Sequence, residues 1–139
     1  MVMSFHVDIV SAEQEIYSGL AEMVIAPAEE GDVGIAARHA PLLTRLRAGE
    51  VQVKTDNKET LPFYVSGGIL EVQPHLVTIL ADRAIRAKDI DEAAAKEAKQ
   101  RAQEMLADKS GKYDLAKAQA ELLDAMMQLQ TLERWRRNR

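Results

Sequence analysis

Residues 29–44 read EEGDVGIAARHAPLLT and bring three carboxylates (Glu29, Glu30, Asp32), His39, Arg38, Gly31 and Gly34 into one short stretch. Three kinds of chemistry suit such a set: a glycine loop cradling phosphate, a carboxylate–histidine acid–base centre, or a shaped polar loop that touches another protein. The phosphate reading fails on residue types. GDVG is shorter than a P-loop and lacks the Lys-Ser/Thr that holds phosphate and magnesium, and three acids repel an anion. Acid–base work needs carboxylates shielded from water, whereas a cluster on a glycine turn is a solvated group. Elsewhere, His6, His39 and His75 have no histidine partner at H-x-x-x-H spacing, which argues against a metal site. Ser11, Ser18 and Ser66 stand in no nucleophile-elbow pattern. Contact with a protein remains: Gly31 and Gly34 permit sharp turns, Pro41 begins the next strand after a rigid bend, and an acidic tip and a His39–Arg38 shoulder stand between them.

The elements around this stretch divide the chain near Arg86. Before it, Val7, Ile9, Val24, Ile25, Val51, Val53, Phe63, Val65, Leu76, Val77 and Ile79 lie in short, often alternating apolar runs, the pattern of half-buried strands. Asp56-Asn57, a pair that tolerates left-handed backbone, and Pro74-His75 punctuate two such pairs as turns. The expectation is a β-sandwich or barrel over residues 1–86. Beyond it the period becomes helical. Asp89 followed by Glu92 reads as a capping pair, which starts a helix over 90–106 with the stripe Ile90, Ala94, Ala98, Ala102 and Met105. Gly111 breaks it, and a second helix is expected over 113–136. Leu115, Leu122 and Leu129 repeat every seven residues beside Ala118, Ala125 and Leu132. The fold class is α+β: a two-sheet β-sandwich, then an antiparallel two-helix hairpin over 87–139.

The hairpin seam is mostly alanine on one side, and alanine buries far less apolar area than leucine. Pairs at helical spacing, Glu92–Lys96, Glu97–Arg101 and Glu133–Arg137, support each helix whether or not the two are docked. Two readings stay open from pattern alone: a plain structural hairpin, or a helix that can detach. Residues 1–87 carry 7 basic and 12 acidic side chains, and residues 88–139 carry 11 and 10. The end RWRRNR concentrates Arg134, Arg136, Arg137 and Arg139. Compensation of the helix dipole explains part of this, and an acidic protein partner suits the rest. A net charge of −4 argues against nucleic acid or anionic lipid as the main ligand. Absence of cysteine excludes thiol chemistry and fits a reducing compartment. With no long apolar run and no basic leader at the start, the expectation is a cytosolic chain that meets a membrane only through partners.

The segments FHVDIVSAEQEIYSG, EGDVGIAARHAPLLT and YVSGGILEVQPHLVTILADRAIRAKDIDEA, with the helical tail, resemble the epsilon subunit of bacterial F-type ATP synthase along the whole chain. The resemblance implies a non-catalytic rotor subunit of a proton-translocating enzyme, peripheral to the cytoplasmic face of the inner membrane. Its sandwich would bind the gamma shaft and the c-subunit ring. Glu29, Glu30 and Asp32 would face the ring, and His39 and Thr44 would face gamma. Its tail would extend along gamma into the alpha/beta head and block ATP hydrolysis, with Arg134, Arg136, Arg137 and Arg139 meeting acidic segments there. Some members bind ATP at the start of the first helix. Here Ile90, Asp91 and Ala95 fit that pattern while Ala94 stands in place of its arginine, which implies weak or absent ATP binding and no cofactor. Two other readings compete: an adaptor whose sandwich and hairpin bind other clients, and a small enzyme built on His39 and a nearby carboxylate.

Overall fold

Alternation of buried and half-buried positions in β1 (Phe5–Ser11) sets the pattern for the first half of the chain. The computed structural model describes residues 3–138. Eight further strands follow: β2 (Glu15–Ala28), β3 (Gly31–Ala36), β4 (Leu42–Leu46), β5 (Gly49–Thr55), β6 (Thr60–Val65), β7 (Gly68–Val72), β8 (Leu76–Ala81) and β9 (Ala84–Arg86). A 3-10 turn (Ala87–Asp89) leads into α1 (Glu92–Ala107) and α2 (Leu115–Asn138). The fold is thus a β-sandwich followed by a helical hairpin. Pairing runs β1-β8-β7-β4-β2-β5-β6-β9, with β3 beside β2, and β1 also pairs β2. The two expected layers are therefore joined through β2, which is 14 residues long and meets β1 early and β3 late.

The sandwich core is dense. Val7, Ile9, Val24, Ile35, Val51, Val53, Phe63, Val65, Leu70, Val72, Val77 and Ile79 are fully buried. Each contributes about 1.5–3 kcal/mol relative to exposure. Gly68 is obligatory: its φ is +141°, and a Cβ there would stand 2.1 Å from the Leu80 carbonyl oxygen. β6 breaks the alternation, because Phe63, Tyr64 and Val65 are all buried. Phe63 and Val65 join the sandwich core, while Tyr64 joins a second cluster with Ile90 and Leu132. A strand covered on both faces loses its polar side, and here α2 is the second cover. At the junction Arg86 lies over the rings of Tyr17 and Phe63, 5.6 and 5.9 Å from their centroids, and donates to the Ile16 carbonyl.

Several local expectations are corrected. Asp91, not Asp89, caps α1, its carboxylate accepting from the Ala94 N–H at 3.0 Å; Asp89 ends the 3-10 turn. The buried stripe of α1 consequently contains Ala95 and Ala102, with Ala94 exposed. Asp114, whose carboxylate accepts from the Ala116 and Lys117 amides, precedes α2, so Tyr113 lies outside the helix and Leu115 is exposed. Ala118, Ala125 and Leu132 are buried on α2, Leu132 in the cluster with Tyr64 and Ile90. Gly111 has φ +80° in the interhelical turn. Gly34 makes no turn: it sits within β3 opposite Ile25. In the β5–β6 hairpin Lys58, at φ +71°, takes the left-handed position, its N–H on the Thr55 carbonyl and its ammonium 2.8 Å from Glu22. Glu92–Lys96 forms at 2.9 Å; among the described residues Glu97–Arg101 and Glu133–Arg137 do not.

Candidate functional site

Glu29 and Glu30 form the two-residue turn between β2 and β3, where Ala28 pairs Gly31, and both are exposed. Gly31, at φ +139°, lets β3 turn back. Asp32 is not free: Arg47 Nη2 donates to its carboxylate at 2.6 Å. Arg47 is itself placed by its backbone N–H on the Pro27 carbonyl. Both partners are half-exposed or more, so the pair contributes little stability and mainly sets the direction of the charge. The tip therefore presents the two free carboxylates of Glu29 and Glu30 beside one already neutralised.

His39 lies past the other end of β3, whose six residues span about 20 Å at strand rise. Its Nδ1 is 2.7 Å from the Ala40 carbonyl. Arg38 adopts φ +64° and donates its backbone N–H to the Pro74 carbonyl, tying this shoulder to the β7–β8 turn. Thr44 sits mid-β4 opposite Leu70, half-buried. Acidic tip and shoulder are thus separate sites, and no carboxylate meets His39 among the described residues.

An unforeseen Ser–His–Asp cluster lies across β1 and β2. His6 Nε2 is 2.9 Å from Asp8 Oδ1 and 2.8 Å from Ser18 Oγ, while Ser18 Oγ donates to Asp8 Oδ1 at 2.7 Å. In a hydrolytic triad the imidazole separates serine from carboxylate and uses both nitrogens. Here one nitrogen serves both and the serine proton already points at the carboxylate. The arrangement orders a sheet face and does not activate a nucleophile. Alternation in β1 and pairing of Asp8 with Ser18 bring it together, which no spacing in the sequence announces.

The third region is the surface that carries α2. Glu50 and Tyr64 are cross-strand neighbours on β5 and β6. The Tyr64 hydroxyl donates to Asp124, which also accepts from Gln128 Nε2 at 2.8 Å and lies 3.7 Å from Arg83. Burial, then the hydrogen bond to Asp124, raises the Tyr64 pKa well above its ordinary value. Glu50, its side chain 8 % exposed, accepts from Arg134 Nη1 at 2.6 Å and from Gln52 Nε2 at 3.0 Å. Arg136 meets Glu92 at 2.5 Å, beside Lys96. Hydrogen bonds from Lys96 and then Arg136 lower the Glu92 pKa. Arg137 is exposed, and Arg139 lies outside the described residues. Ile90 is buried under α2, and the Asp91 carboxylate is occupied as a helix cap.

The described residues contain no group of acids and histidines that could hold a metal ion and no helix long and apolar enough to cross a membrane. Residues 4–87 match the β-sandwich domain of the ATP synthase delta/epsilon chain, and residues 82–133 match its long α-helix domain. ATP synthase epsilon chain 1 of Methylococcus capsulatus is 65% identical over 139 residues, spanning 100% of this chain and 99% of that protein. The ATP synthase epsilon chain of Alkalilimnicola ehrlichii is 65% identical over 134 residues, 96% of each. Among solved structures, a chain of the Euglena gracilis mitochondrial ATP synthase (OSCP/F1/c-ring) superposes with a TM-score of 0.68 at 19% identity. It covers 96% of this chain and 80% of that one, a likeness of fold.

Proposed function

This chain belongs to the ATP synthase delta/epsilon chain family, and from that premise we propose that it is a non-catalytic central-stalk subunit of a proton-translocating F-type ATP synthase. It joins the gamma shaft to the c-subunit ring, on the cytoplasmic face of the inner membrane, and restrains ATP hydrolysis through its C-terminal helix. The full-length match to epsilon chains carries this reading. Exposed Glu29 and Glu30 with the Arg47-paired Asp32 suit a polar ring surface. The His39 shoulder and Thr44, anchored on separate strands, suit gamma. A 24-residue α2 spans about 36 Å when extended, and Arg134, Arg136, Arg137 and Arg139 suit acidic segments of the alpha/beta head. The end of β9 at Arg86 supports domain limits of 1–86 and 87–139.

Gamma and the c ring are expected to co-purify with the chain in near-stoichiometric amounts. Deleting residues 113–139 is expected to raise ATP hydrolysis by the assembled complex, and unchanged hydrolysis would overturn the inhibitory role. For ATP itself, Ala94 offers no guanidinium and Asp91 is engaged with the backbone. Isolated chain in a calorimeter should show weak or no ATP binding, and micromolar affinity would refute this.

A further inference from the structure

α2 is the middle layer of the C-terminal region: it packs on β5 and β6 on one side and on α1 on the other. One arginine of α2 is fastened to each neighbour. Arg134 reaches the sandwich through Glu50, and Arg136 reaches α1 through Glu92. Two residues apart on a helix is about 200° of rotation, so the two guanidinium groups leave opposite sides of α2. The apolar support is a small cluster on the sandwich side and mostly alanine on the α1 side. Against the sandwich Tyr64, Ile90 and Leu132 are buried with Ile85, Met127 and Trp135 packed around them, and along the seam with α1 the buried residues are Ala95, Ala102, Ala118 and Ala125. A charge-assisted hydrogen bond, comparable to the burial of one large apolar side chain, therefore adds appreciably to each contact.

Glu50 has the stronger hold on its partner. It is nearly buried, its Oε2 takes both donors, and its Oε1 is buried without a partner. If Arg134 is removed while α2 stays docked, that carboxylate retains a single neutral donor in a poorly hydrated place, which is unfavourable. Glu92 is more exposed and keeps Lys96 when Arg136 leaves.

We propose that Glu50 and Glu92 are internal counter-anions that lock α2 at two independent interfaces, so that lifting α2 off the sandwich and parting it from α1 are separate steps, each releasing one arginine to an acidic partner. This rests on the reading above, in which the tail moves, and adds which contacts meter the movement. Arg134 is released from its internal carboxylate only when the first lock opens, and Arg136 only when the second does.

The chain has no cysteine, so paired labels can be introduced cleanly in the full-length protein. Lys54→Cys with Gln130→Cys reports α2 against the sandwich, and Gln103→Cys with Gln119→Cys reports α2 against α1, by electron–electron distance measurement. Arg134→Gln is expected to raise the open fraction of the first pair about tenfold and leave the second near its starting value; Arg136→Gln is expected to do the reverse. Equal response of both pairs to either change, or no response, overturns the two locks. Because Glu50→Gln could disturb the sandwich, the arginine variants carry this arm. In the assembled complex, Glu50→Gln and Glu92→Gln together leave the arginines intact and are expected to deepen inhibition of hydrolysis. Opened label pairs with unmoved hydrolysis would keep the locks but sink the inhibitory reading. Unmoved label pairs would sink the locks whatever hydrolysis does.

Discussion

Replacing Tyr64 by Phe isolates one contact in the docked helix. The side chain is fully buried and Phe fills the same volume, so the change removes the hydroxyl and little else. A hydrogen bond to a charged acceptor is worth about 1.5–3 kcal/mol. Asp124 keeps Gln128 and the nearby Arg83, and with 29 % of its side chain exposed it can recruit water. The lower end applies, about 1–2 kcal/mol, or roughly five- to thirtyfold in the opening equilibrium. Hydrogen exchange at the α2 amides should accelerate by that factor while β1, β2 and β8 exchange as before. High pH gives a second readout. The docked Tyr64 has its pKa raised, whereas an undocked tyrosine titrates at its ordinary value of 10.0. The open form therefore binds fewer protons above pH 10, and the stability of docking, full below that, falls as pH rises. Tyr64→Phe should lose this alkaline weakening. Unchanged α2 exchange, or equal loss of protection in the sandwich, would refute the reasoning.

Three further outcomes follow from local geometry. Gly68→Ala meets a carbonyl oxygen at 2.1 Å and a left-handed φ, so the sandwich should lose several kcal/mol, roughly 3 or more, in urea unfolding; Gly34→Ala, with open space and no positive φ, should stay within about 0.5 kcal/mol. Asp91→Ala should cost about 1 kcal/mol of helix stability by thermal melting, whereas Asp89→Ala should be close to neutral. Glu92 has a depressed pKa in the folded chain, so its support of α1 is present above the ordinary carboxylate value of 4.5 and fades as pH falls through the lowered one. Circular dichroism of Glu92→Gln should show less acid loosening of the helices than the parent chain.

Legibility in the sequence followed how local each cause is. Alternation in β1, β5 and β8 depends only on one face being apolar, and the sandwich was readable from it. The alanine seam of α2 was equally plain, since Ala118 and Ala125 obey the helical period. Errors arose where two local signals competed. Asp89 and Asp91 are both good caps, and the 3-10 turn consumed the first. Lys58 takes the left-handed turn position, and its ammonium reaches Glu22, 36 residues earlier.

The sequence by itself determined the two-part architecture, the long second helix and the family, because periodicity and motif order are properties of the chain read in line. Only the tertiary structure decided that Tyr64 turns away from the sandwich core, that Glu50 rather than an outside acid takes Arg134, and that Asp32 is already paired with Arg47. Those partners lie 60, 84 and 15 residues apart. A charge chooses its counter-ion by distance in space and by loss of water, and neither quantity exists until strands and helices have packed.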